Sequence, residues 1–73
     1  MYIITRVNEY AQRYYVSRDY KLVKDEITED CIFERIGDAM KVAGTANKAL
    51  MLIDGKNAPL YQVKYYNMQI FND

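Results

Sequence analysis

Apolar and polar positions change their period twice along this 73-residue chain. Tyr2-Ile3-Ile4-Thr5-Arg6-Val7 is dense in β-branched residues and predicts a first strand. Asn8 to Gln12 is a polar connection, and Arg13-Tyr14-Tyr15-Val16-Ser17 predicts a second strand, so the pair reads as a hairpin with a longer loop. Tyr20-Lys21-Leu22-Val23-Lys24 suits a third short strand, although its alternation defines no single apolar face. Asp25 to Asp30 is polar and acidic, and Cys31-Ile32-Phe33 reads as an extended piece entering the core.

The period then shifts from two to about 3.6 residues. Ile36, Ala39, Met40, Ala43, Ala46 and Leu50 recur at spacings of three and four, which places them on one helical face. This predicts a helix over 35–48. A competing reading starts it at Thr28, whose hydroxyl is able to cap a first turn. Gly37 and Gly44 each cost about 1 kcal/mol in a helix interior, which is tolerable if the helix backbone packs closely on the sheet there. Ala49 to Ile53 suits either an extension of the helix or a buried strand. Asp54-Gly55 signals a turn and Pro59 forbids a helix through its position. Leu60 to Tyr66 then alternates as a strand, with Tyr61, Val63 and Tyr65 on one side and Gln62, Lys64 and Tyr66 on the other. Met68 to Phe71 is expected to continue extended. The pattern is β-β-(β)-α-β-β, an α+β fold in which one helix packs on one face of a small antiparallel sheet.

Composition narrows the picture. Residues 1–73 are expected to form one domain, and a chain this short buries only about 60% of its unfolded surface. Such domains often add a staple. Cys31 is the one cysteine and there is no histidine, so an internal disulfide and a Cys/His zinc site are both excluded. A homodimer is the staple that remains. The N-terminus has no basic region leading into a long apolar run, and no apolar stretch approaches the ~20 residues of a membrane span. The expectation is a soluble cytoplasmic protein that needs no cofactor.

The net charge is zero but unevenly spread. Residues 1–24 balance to +3, residues 25–38 to −5 and residues 39–73 to +2. The acidic belt of Asp25, Glu26, Glu29 and Asp30 has a plain reading, which is neutralisation by the basic strands beside it. The sharper reading is an acidic edge that docks on a basic partner.

Enzyme chemistry is poorly supplied. General acid–base work most often uses histidine, and Cys31 has none to activate it. Beside Ile32 and Phe33 it reads as a buried core thiol. Gly37, Gly44 and Gly55 are isolated and form no phosphate-binding loop. Asp54-Gly55-Lys56-Asn57 lacks the later glutamate of a calcium loop and reads as a turn.

Binding is better supplied. Arg13, Tyr15 and Ser17 share one face of the second strand, and Gln62, Lys64 and Tyr66 share one face of the last. Placed on the same side of the sheet, Arg13, Tyr15, Gln62, Lys64 and Tyr66 would form a surface able to stack bases. A net charge of zero argues against strong phosphate binding. The same Tyr/Arg composition suits a protein interface, and any single tyrosine also serves simply to finish a half-exposed sheet.

The order Tyr2-Ile3-Ile4, then Tyr14-Tyr15-Val16, then Phe33-x-x-Ile36-x-x-Ala39-x-x-x-Ala43 resembles small proteins encoded by phages and prophages of Gram-positive bacteria. The resemblance spans about residues 2–44, rests on core positions and carries no site residue across. It implies a chain that binds a host or phage macromolecule, with inhibition of a defence nuclease such as a CRISPR effector as one role. A nucleic-acid-binding accessory protein, or a self-assembling or small-ligand-binding protein, is the alternative.

Overall fold

The computed structural model describes residues 1–55 and 59–67. Strands β1 (Tyr2–Val7), β2 (Arg13–Val16) and β3 (Leu22–Lys24) lead into a single 3-10 turn at Glu29–Cys31. Helix α1 (Ile36–Asp54) and strand β4 (Gln62–Tyr65) follow. The strands form one antiparallel sheet in the order β3-β2-β1-β4. This is the α+β fold that the residue pattern predicts. The final extended stretch expected from Met68 lies outside the described residues.

Register follows from the pleat. Thr5 pairs with Tyr15 on one side and with Gln62 on the other, and Val16 pairs with Leu22. Paired residues share a sheet face and neighbours alternate. Tyr2, Ile4, Arg6, Tyr14, Val16, Leu22 and Val63 therefore lie on the α1 side, and Ile3, Thr5, Arg13, Tyr15, Val23, Gln62 and Lys64 lie on the opposite side.

Each face has its own core. Under α1, Ile4, Val16, Phe33, Ala39, Val42, Ala43, Leu50 and Tyr61 form one cluster. Each large apolar side chain fully buried there contributes about 1.5–3 kcal/mol. On the other face Ile3, Tyr15 and Cys31 form a second cluster, joined by Val23, Ile27 and Tyr66. The connection from residue 25 to residue 33 crosses this face. It is anchored where the Asp25 N–H donates to the Arg13 carbonyl at 2.9 Å and the Arg18 N–H to that of Asp30 at 2.8 Å. Tyr2 and Phe33 then exchange two backbone hydrogen bonds of 2.8 Å, so Phe33 takes the place beside β1 that β2 has vacated. Cys31 is fully buried, in keeping with a core thiol.

Four sequence expectations need correction. The helix runs to Asp54 rather than ending near 48, so Ala49 to Ile53 are helical. It begins at Ile36, and Thr28 instead precedes the 3-10 turn, its hydroxyl 3.3 Å from the Cys31 sulfur. Ile36 and Met40 are exposed, and Val42 replaces them in the core. The buried stripe is thus 39, 42, 43, 46 and 50. Neither Gly37 nor Gly44 lies against the sheet, since a Cβ at either would meet nothing within 4 Å. Gly55 does have a backbone role: at φ +82° it turns the chain off the helix while its N–H donates to the Met51 carbonyl.

Candidate functional site

The residues singled out from the sequence do converge. Arg13, Tyr15, Gln62, Lys64 and Tyr66 all belong to the sheet face turned away from α1. They are not equally available. Tyr15 is 8% exposed beneath Cys31, and Tyr66 is half-buried in the same cluster. Base stacking needs an open ring face, and the connection crossing this side covers that of Tyr15. Arg13 donates from Nη1 to the Thr5 hydroxyl at 3.0 Å, and Gln62 and Lys64 are exposed beside it. The open remainder is a short polar strip.

The acidic belt borders that strip. Asp25, Glu26, Glu29 and Asp30 are all exposed, and Asp30 pairs with Arg18 at 3.4 Å. Glu29 and Tyr66, from the two ends of the predicted surface, line a shallow concavity of about 620 Å³ with Arg18 and Ile32. Asp30 is thus paired with a neighbouring cation.

Sequence reading missed a second surface, on the helix side. Helix α1 lies mainly over β1 and β4, with less contact to β2. The sheet continues past it through β2 to β3. The gap between helix and sheet is a half-open groove of about 600 Å³. Its floor is Tyr14, Val16 and Leu22; its helix wall is Thr45, Ala46, Ala49 and Ile53. Leu22 is 60% exposed and Ile53 is 81% exposed. Tyr20 lines both this groove and a smaller one of about 440 Å³ between Arg18, Asp38 and Lys41.

The closed end of the groove is built around Arg6. Its side chain is 11% exposed, its Nε donates to the Pro59 carbonyl at 2.6 Å, and its guanidinium lies 5.7 Å from the centre of the Tyr61 ring. Asp54 stands 3.9 Å away, a loose ion pair at the helix C-terminus. Burial raises the Tyr61 hydroxyl above its ordinary pKa, against the lowering influence of Arg6. Asn47 fixes the adjacent backbone: its Oδ1 accepts from the Tyr61 N–H at 2.7 Å and its Nδ2 donates to the Tyr61 carbonyl at 3.2 Å. The groove end is therefore rigid, while its mouth is apolar and exposed.

No group of three or more Cys, Asp or Glu side chains lies together in metal-binding array among the described residues. No helix among them is long and apolar enough to cross a membrane. No family model, curated protein or solved structure matches the chain.

The signal for the groove was in β3. Tyr20 and Leu22 alternate with Lys21 and Val23, so both faces of that strand carry apolar residues. A strand at a sheet edge with two apolar faces needs cover on both sides. Among the described residues, Ile27 and Cys31 supply it on the side away from α1.

Proposed function

We propose that this chain is a non-catalytic binding protein that docks stoichiometrically on a protein partner, as an inhibitor or modulator of a host protein such as a defence nuclease. The observation that supports it best is the groove beside α1, where Tyr20, Leu22 and Ile53 stand exposed around a rigid Arg6–Tyr61 end. Exposed apolar groups gathered in this way mark interaction surfaces. The resemblance to phage-encoded proteins supplies the host context. A homodimer, in this reading, uses the other flank of α1, where Ile36, Met40 and Met51 are exposed.

Nucleic-acid binding is the second reading, favoured by Arg13, Gln62 and Lys64 sharing one exposed face. Affinity purification from a nuclease-treated bacterial lysate separates the two. The expected result is one stoichiometric protein that survives nuclease and is lost when the bait carries Leu22→Lys. A profile that disappears with nuclease transfers the assignment to nucleic acid.

A further inference from the structure

We propose that Tyr20, held in a left-handed backbone conformation at the tip of the β2–β3 hairpin, is the anchor residue of the interface with the protein partner. The inference rests on the protein-binding reading and names the side chain that carries it. The two hairpins of the sheet share one kind of connection. In each, a three-residue loop closes between paired ends: the Asn8 N–H donates to the Gln12 carbonyl at 2.9 Å, and the Ser17 N–H to that of Lys21 at 2.9 Å. The third loop residue donates its N–H back to the first end, Ala11 to the Asn8 carbonyl at 3.1 Å and Tyr20 to that of Ser17 at 3.0 Å. The side chain of the first end accepts from the backbone of the last, Asn8 Oδ1 from the Gln12 N–H at 2.9 Å and Ser17 Oγ from the Lys21 N–H at 3.0 Å. A turn followed by one left-handed residue is a common three-residue hairpin, and glycine suits the left-handed position best. This chain places Ala11 there at φ +62° and Tyr20 at φ +65°.

A bulky residue is strained at that position, because its Cβ crowds the following carbonyl oxygen. Such strain persists where the surroundings over-determine the backbone. Ser17 is 2% exposed and its hydroxyl also donates to Asp19, while the Arg18 N–H is held by the Asp30 carbonyl. The loop therefore has little freedom to relax. The fold gains only part of the ring's burial in return: Tyr20 is 53% exposed, and its hydroxyl bonds no group among the described residues. Glycine or asparagine closes the same loop with less strain. Strained backbone of this kind collects at functional sites. Tyr20 lines both concavities on the helix side, so a partner entering either one meets it. Interface energy concentrates on tyrosine among few residue types, since two torsions fix a large ring with a polar tip. A turn that already holds that ring lowers the ordering cost of binding. The matching feature on the partner is an apolar pocket for one ring, with a hydrogen-bond acceptor for the phenol.

The test reads stability and binding together on Tyr20→Asn, with Ala11→Asn as the matched change in the other hairpin. The binding probe is the stoichiometric protein recovered from the nuclease-treated lysate, purified and titrated against each variant. Tyr20→Asn is expected to raise Tm by a few degrees, because asparagine tolerates the left-handed conformation, and to weaken binding about tenfold or more. Ala11→Asn is expected to leave binding unchanged. A Tm that Tyr20→Asn leaves level or lowers would show that the ring serves the fold, and would overturn the proposal without any partner in hand. A loss of affinity smaller than about tenfold, or an equal loss with Ala11→Asn, would overturn it as well. Either result beside a loss with Leu22→Lys sinks the anchor and leaves the groove reading standing. Loss with Tyr20→Asn but not with Leu22→Lys keeps the anchor and contradicts the groove. Recovery of no stoichiometric protein overturns both.

Discussion

Single residues at the closed end of the groove carry more than their size suggests. Asn47 satisfies both the N–H and the carbonyl of Tyr61 from the middle of a helix. Truncating it leaves two backbone groups without these bonds beside a tyrosine that is 8% exposed. Asn47→Ala is therefore expected to cost about 1–3 kcal/mol. Thermal denaturation should show it as a fall in Tm of roughly 4–8 °C per kcal/mol. Tyr61 gives a pH signature. Burial favours its neutral form, so the folded pKa lies above the unfolded value of about 10. The associated stability is fully present below that unfolded value and is lost as pH rises through the folded one. Urea titrations above pH ~10 should show this alkaline loss in the wild type and a smaller one in Tyr61→Phe. Neither role was legible beforehand. A side-chain bond across fourteen positions leaves no periodic trace.

At the scale of elements, most of the strand assignments were legible because alternation and β-branching survive in any context. Helix α1 was legible in kind but not in extent. Ala49 to Ile53 is apolar on every side, and such a run does not distinguish helix from buried strand. Leu52 and Ile53 are in fact exposed, so no packing within the described residues explains their character. The reading of Gly37 and Gly44 failed for a related reason: a glycine in a helix signals close approach only when something approaches. With open space at Gly44, the missing Cβ brings only its entropic penalty. Gly44→Ala is expected to stabilise the protein by about 0.5–1 kcal/mol, visible as a Tm higher by a few degrees. A Tm lowered by that substitution would mean that Gly44 faces a neighbour after all. Gly55 behaves oppositely, since φ +82° strains any residue with a Cβ. Gly55→Ala should destabilise the C-terminal end of α1 by about 1 kcal/mol in the same assay.

The whole molecule is a sheet covered unevenly on both faces. One side carries an irregular connection, with an acidic belt on the connection and a short polar strip beside it. The other carries α1, which among the described residues lies mainly over β1 and β4. The fold class was legible from period alone. The distribution of cover was not, because it depends on strand order: β3 stands at the edge beside β2, beyond the main contacts of α1. Arg13, Tyr15, Gln62, Lys64 and Tyr66 lie on one sheet face, yet Tyr15 is buried in the core there. The surface that supports binding best came from residues that seemed ordinary, Leu22 and Ile53 among them.

Photo-crosslinking of the captured partner tests this account most directly. A benzophenone side chain is placed at Ala49, on the groove wall, or at Lys64, on the opposite sheet face. The account predicts an adduct from position 49 and none from position 64. An adduct from position 64 with none from position 49 would contradict it and move the interface to the face of Arg13 and Gln62.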